Sequence, residues 1–310
     1  MTMIDRLVEI WSRLPRAKGR LWQVVGSLLT LAAVIYLVYV FKTNQFVIRQ
    51  YNGPLFWKAL AGILGLYLAS LVLQFIVWAR LIAHYRKVSL QDIEIYARMV
   101  MMRSLPGGAW HWLGRISMYS VTELPMRIVI LGNFLEWALL ILVGLGLWLA
   151  LSLGRWGWLA AAAAWGAALF LAAAWQKDRN WFRKLIEALT WVLIYIPVWL
   201  AGGLVLYLCV LVVIGPGVLN WLDCVRVNTA AGTMTLLITF LPSSLGVREV
   251  SFIALLQNQV APALALALAL LIRIICTLSD LGWGMAGWLV SRLIRFISSA
   301  DRQDRLNPRL

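Results

Sequence analysis

Apolar residues run along this chain in long blocks broken by short polar punctuation, not in the alternation of a strand or the one-sided stripe of a soluble helix. Six blocks, residues 22–41, 55–80, 126–152, 156–175, 189–214 and 262–290, are near or above the ~20 residues a helix needs to cross a bilayer. Two intervening stretches, 93–120 and 224–260, have a different grain. Each reads as two helical arms around a break: Leu105–Arg115 (LPGGAWHWLGR) in the first and Leu241–Glu249 (LPSSLGVRE) in the second. Arms of about 13 residues rise about 20 Å, short of the ~30 Å hydrocarbon core, so both stretches are expected to be re-entrant hairpins.

Charge placement sets an expected topology. Residues 42–54 carry only Lys42 and Arg49, Arg155 stands almost alone, and 215–221 has no charge. Basic residues gather instead in the N-terminal tail, at Arg86 and Lys87, at Lys177, Arg179, Arg183 and Lys184, and in the tail bearing Arg292, Arg295, Arg302, Arg305 and Arg309. Under the positive-inside rule the loops alternate in and out only if both broken stretches return to the side they entered. The expected fold is therefore all-α and polytopic: one transmembrane domain over 1–310 with six spans and two re-entrant hairpins. Its inverted halves lie at about 55–152 and 189–290, with basic cytoplasmic tails at 1–21 and 291–310.

Composition agrees: 62% of the 310 residues are hydrophobic and 13% charged, with a mean hydropathy of +0.82. The net charge of +15 is carried mainly by tails and loops. It reads as an orientation signal and a means of holding anionic lipids at the tails, not as a nucleic-acid surface. The first apolar run follows Arg6, Arg13, Arg16, Lys18 and Arg20, is too long for a signal peptide and lacks a small-residue cleavage site, so it is expected to be retained in the cell inner or plasma membrane. Cys209, Cys224 and Cys276 have no metal spacing and read as packing residues. Tryptophans such as Trp22, Trp57, Trp156, Trp158, Trp181 and Trp221 stand near span ends, as interfacial belts do.

A charge at bilayer depth costs ~3 kcal/mol, so each needs a partner, a water-filled cavity or a function. The candidates are Arg103, Arg115, Glu136, Arg248, Glu249, Arg273 and Asp280, with His111 beside the first break. Arg273 and Asp280 are seven residues apart and share a helix face. The breaks themselves, Pro106-Gly107-Gly108 and Pro242-Ser243-Ser244 with Gly246, precede new helices whose free N–H groups suit an anion. Arginines paired with acids in this way can hold an anionic headgroup, with Glu136 and Glu249 orienting them or meeting a cationic part of the ligand. They can equally form buried ion pairs that lock the bundle.

The run FLPSSLGVREVSFIALL, followed by ALALALLIRIICTLSDLGWGMAGWL, resembles the second signature of the lysylphosphatidylglycerol synthase transmembrane-region family, also called the flippase-like domain. LPGGAWHWLGR with the later Glu136 is similar to its first signature. The resemblance covers nearly the whole chain. It implies that Pro106, Gly107, Gly108, Arg115, Glu136, Pro242, Gly246, Glu249 and Arg273 contribute to a lipid-handling site. Ser243-Ser244 departs from the Gly-Gly of many relatives. A synthase segment after the last span is not expected, so aminoacyl transfer is not implied.

These observations point to a lipid flippase-like transporter moving an anionic or zwitterionic phospholipid or glycolipid headgroup between leaflets through a midplane polar cavity. No P-loop, metal cluster or Ser-His-Asp arrangement is legible, so neither an enzyme nor a cofactor is expected. Two alternatives stay open. One is a membrane-embedded lipid-modifying transferase with Glu136 or Glu249 as base. The other is a non-transporting scaffold, which would need a separate lipid- or glycan-modifying enzyme as partner. Oligomeric state, lipid identity, direction and energy coupling leave no trace in the sequence.

Overall fold

The computed structural model describes residues 54–104, 110–175, 180–238 and 247–306, with side chains throughout except those of 54–56, 104, 110, 249 and 295–306. Every regular element in it is helical: α1 (Pro54–Ala83), α2 (Leu90–Met101) with a 3₁₀ turn (Met102–Ser104), α3 (Trp110–Tyr119), α4 (Met126–Ser152), α5 (Gly154–Trp175), α6 (Trp181–Val213), α7 (Trp221–Ile238), α8 (Val247–Leu256) and α9 (Pro262–Leu306). Turn chemistry sets two of the joints. Gly154 takes a φ of +54°, which lets α5 start one residue after α4 ends. Gly215 and Gly217, at φ 113° and 87°, turn the chain after α6.

Five helices are long and apolar enough to cross a membrane, which fits a membrane protein: Trp57–Ala83, Met126–Ser152, Gly154–Trp175, Trp181–Val213 and Pro262–Ile294. Five of the six expected spans thus correspond to helices, and the one at 22–41 lies outside the described residues. One boundary differs from expectation. Helix α6 begins eight residues before position 189, because Asn180 caps it by accepting the Phe182 backbone N–H at 3.0 Å; Arg183 and Lys184 therefore ride on its first turns instead of in a loop. Helix α9 runs past its span through residues 291–306, so the described part of the basic tail is helical.

Between the spans lie two pairs of short helices, α2 with α3 and α7 with α8, and the members of each pair pack together. Three arms, of 12, 10 and 10 residues, are close to expectation. The fourth differs: α7 has 18 residues and rises about 27 Å. Its first turn, with exposed Trp221 and the Asp223–Arg226 pair at 3.1 Å, has the character of an interface, which accounts for the extra length.

The packing has a regular plan. Helix α1 lies on α6; α2 packs on α9 and α7 on α4; α3 rests on α4 and α8 on α9. Exchanging the set α1–α4 with the set α6–α9 maps the α1–α6 contact onto itself and swaps the other four in pairs. Helix α5 stands apart, against α4 and α6. Small residues allow the close approaches. Trp199 of α6 is held between Gly144 of α4 and Gly232 of α7, where an added Cβ would come within 2.6 Å and 2.5 Å of its ring, and its Nε1 donates to the Leu140 carbonyl at 3.0 Å. On α9, Gly284 and Gly287 leave room for Met101 and Ala97 of α2. Trp57, Trp156, Trp158, Trp181 and Trp221 are exposed at or near helix ends, as belts require; Trp22 lies outside the described residues.

Candidate functional site

A cavity of about 390 Å³ opens where the two short-helix pairs approach the long helices. Arg103, His111, Arg115 and Glu136 enter its lining from the first half of the chain, and Arg248, Arg273 and Asp280 from the second. Every charged candidate whose side chain is described therefore meets in one chamber. Arg273 and Asp280 share the lining face, as their spacing requires. Pro106, Gly107, Gly108, Pro242, Ser243, Ser244 and Gly246 lie outside the described residues, as does the side chain of Glu249.

Arg115 is the most constrained of these groups. Only 1% exposed, it donates from Nη1 to Glu136 Oε2 at 2.6 Å and to Asn133 Oδ1 at 2.9 Å. Its guanidinium carbon sits 4.1 Å from the Trp78 ring centre and 4.8 Å from that of Tyr96. The Tyr96 hydroxyl reaches Glu136 Oε1 at 3.4 Å. A carboxylate, an amide and two aromatic faces thus fix one cation in a place with almost no water. Glu136 pairs with Arg115, and the pair ties α3 to α4.

The other arginines have softer surroundings. Arg103 donates from Nη2 to Gln74 Oε1 at 2.9 Å. Arg248 makes a long 3.4 Å contact with Asn228 Oδ1, lies 5.6 Å from the Phe252 ring, and keeps a buried Nε with no hydrogen-bond partner. Both therefore lean on neutral amide oxygens, and among the described residues neither has a carboxylate at ion-pair distance. Across the chamber the Tyr67 hydroxyl donates to Asp280 Oδ1 at 2.8 Å, joining α1 to α9. His111 stands edge-on to Trp112 at 5.8 Å, and Trp112 continues to Phe134 and Trp137 at 5.4 and 6.1 Å, an aromatic wall beside the first break.

Gln74, Asn133, Asn228 and Tyr67 are not among the residues the sequence singles out. Their signal is an uncharged polar side chain inside an apolar run, which is common and weak. Asp92 is likewise not singled out by the sequence. It is fully buried and receives both Arg86 guanidinium nitrogens at 2.8 and 2.6 Å, the Ser89 N–H at 2.7 Å, the Ser89 hydroxyl at 2.9 Å and the Tyr119 hydroxyl at 2.9 Å. Burial opposes its ionisation, but the donors from Arg86, Ser89 and Tyr119 outweigh it and hold the carboxyl below its usual pKa. Trp78 Nε1 donates in turn to the Tyr119 hydroxyl at 3.1 Å, so the Asp92 network props the ring that covers Arg115. The Ser89-x-x-Asp92 spacing of a helix start was the available signal.

Among the described residues, no group of three or more His, Cys, Asp or Glu side chains could hold a metal ion. Cys209 and Cys224 are buried, Cys276 is half-buried in the cavity lining, and all three thiols are free. No known protein family, curated protein or solved structure matches the chain.

Proposed function

We propose that this protein moves an amphiphilic lipid between membrane leaflets, sheltering an anionic or zwitterionic headgroup in the chamber while the acyl or prenyl tails stay in the bilayer. One observation carries the reading: charged groups from both halves of the chain line one cavity flanked by apolar, membrane-length helices. Charge at that depth is costly, and a transported headgroup gives it a use. Support also comes from the exchange pattern of helix contacts and from the short helices α2, α3 and α8 between the spans, features that suit an inverted repeat with broken segments at the binding site. In this reading the chain has six spans and two re-entrant pairs, lies in the inner or plasma membrane with both termini cytoplasmic, and belongs with the flippase-like domains its signatures resemble.

Reconstitution tests it. Vesicles containing the protein should equilibrate a headgroup-labelled lipid between leaflets faster than protein-free vesicles, and Arg248→Ala and Arg273→Ala should slow that exchange at least tenfold. Equal rates for the variants and the parent protein would refute the mechanism.

A further inference from the structure

We infer that one face of α6 carries a hydrated proton path from the helix ends at His84 and Glu187 to Glu136, so that a proton crosses with the headgroup; the inference rests on the transport reading for what the proton accompanies. Glu187, Trp191, Tyr195 and Trp199 are spaced four apart, forming one slanted stripe that spans about 18 Å along α6. At its outer end Glu187 Oε2 is 3.5 Å from His84 Nε2, and both side chains reach solvent, at 32% and 16% exposure. The His84 ring lies 5.8 Å from that of Trp191. At the inner end Trp199 lines the chamber together with Glu136. Between the two ends Trp191 and Tyr195 are fully buried, and neither the Trp191 Nε1 nor the Tyr195 hydroxyl has a hydrogen-bond partner. Asn133, one turn before Glu136, and Arg115, its ion-pair partner, each keep a buried nitrogen, Nδ2 and Nε, that is unpartnered as well. The charges of Glu136 and Arg115 act on the Tyr195 hydroxyl, which places it in the neighbourhood of the pair.

A buried polar atom without a hydrogen bond costs about 1–3 kcal/mol, and ordered water is the partner that satisfies such atoms inside a core. Three of the four are N–H donors; the fourth, the Tyr195 hydroxyl, both donates and accepts, so water held among them can pass a proton along hydrogen bonds. Acids and histidines in series are how membrane proteins build such relays. The inner acceptor is Glu136 Oε1. Arg115 occupies Oε2 at 2.6 Å, whereas among the described residues Oε1 has only the Tyr96 hydroxyl at 3.4 Å. A proton that leaves solvent through His84 or Glu187 and arrives on Oε1 makes Glu136 neutral, and the Arg115 charge then pairs with the headgroup phosphate. A neutral Glu136 without that anion would strand a buried cation, so proton and anionic headgroup favour each other's binding. The charged or titratable groups around Glu136 are Arg115 on α3, Tyr96 on α2, Arg103 in the 3₁₀ turn and Tyr195 on α6. Around the entry they are Arg80, Tyr85, Arg86 and Lys87 close to His84 in the chain, and Arg183 and Lys184 one turn before Glu187.

The test uses the full chain in vesicles of phosphatidylglycerol and phosphatidylcholine that trap a pH-sensitive dye, with valinomycin and equal potassium on both sides to remove any potential. Stepping the outside from about pH 7.5 to about 6.5, across the range where histidine titrates, should acidify the interior faster than in protein-free vesicles. Tyr195→Phe keeps the ring and removes the hydroxyl. It should slow that acidification about tenfold, equivalent to about 1.4 kcal/mol, with a melting temperature within a few degrees of the parent; if it does not fold, Trp191→Phe takes its place under the same criterion. Headgroup-labelled phosphatidylglycerol, the monoanionic probe, should move inward faster after the step than at equal pH in the parent and not in the variant. Acidification no faster than without protein, or a folded variant that acidifies as fast as the parent, would overturn the proton path. Lipid movement that ignores the pH step while protons still enter would overturn the coupling. Proton entry with no lipid exchange would overturn the transport reading alone, and lipid exchange with no proton entry would overturn the path and leave the transport reading standing.

Discussion

Replacing Glu136 by glutamine keeps the shape of the side chain and removes its charge, which isolates what the carboxylate does for Arg115. The guanidinium is only 1% exposed, so water cannot take over from the carboxylate oxygen at 2.6 Å. Removing one partner of a buried pair typically costs about 3–5 kcal/mol, because it strands the other charge. The lower end applies here. Asn133 at 2.9 Å and the rings of Trp78 and Tyr96 at 4.1 and 4.8 Å still hold the cation, and the new amide can still accept a hydrogen bond. A loss of about 3 kcal/mol corresponds to a drop of roughly 6–12 °C in melting temperature. Thermal unfolding of purified protein in detergent, read by tryptophan fluorescence, measures it. Arg115→Met combined with Glu136→Gln should recover most of the loss, because no buried charge is left unpaired. A single variant that melts within 2 °C of the parent, or a double variant no better than the single (thresholds set against the roughly 6–12 °C expected), would refute the view that this pair locks α3 to α4.

Two further outcomes follow from the packing and the Asp92 network. Gly144→Ala places a methyl group 2.6 Å from the Trp199 ring and 2.7 Å from Thr233 Oγ1, an overpacking that should cost about 1–3 kcal/mol. Gly62→Ala, whose nearest neighbour is Leu208 Cδ1 at 3.4 Å, should be neutral or mildly stabilising in the same melting assay. Asp92→Asn should destabilise the protein at pH 7 by about 2–3 kcal/mol, since it removes charge-assisted hydrogen bonds from Arg86 and weakens those from Ser89 and Tyr119. Because the folded carboxyl sits below its ordinary value, the stability it contributes is complete above about pH 4 and is lost as pH falls through the folded pKa. The gap between parent and variant melting temperatures should therefore hold from pH 7 down to about 4 and close below it; a gap that widens on acidification would contradict the assignment.

Much of this site is legible in the sequence because the bilayer makes ionisable residues conspicuous. Arg103, Arg115, Glu136, Arg248, Arg273 and Asp280 stand out against apolar runs, and all six reach one cavity. Their pairing was not legible. Arg115 and Glu136 are 21 residues apart on different helices, and nothing in the sequence distinguishes Glu136 from Asp280 as the partner of Arg115. The amides that hold Arg103 and Arg248 were hidden for a different reason, since Gln74 and Asn228 look like ordinary tolerated polar residues until the helices meet. Hydropathy puts the start of α6 eight residues late because Trp181 to Ala188 mixes charge with apolar side chains and reads as loop, where the Asn180 cap makes it helix. The grip of Gly144 and Gly232 on Trp199 depends on three helices at once, which no single-helix pattern encodes.

We propose that one chamber, shared by both halves of the chain, holds a lipid headgroup. A density map of the protein in lipid nanodiscs supplied with phosphatidic acid tests it most directly. Headgroup density should lie in the chamber within hydrogen-bond reach, about 2.7–3.2 Å, of Arg248 and Arg273, with the tails leading out toward the bilayer. Saturating lipid with a chamber that holds only water or acyl chains, and headgroups confined to the outer surface of the helices, would contradict it.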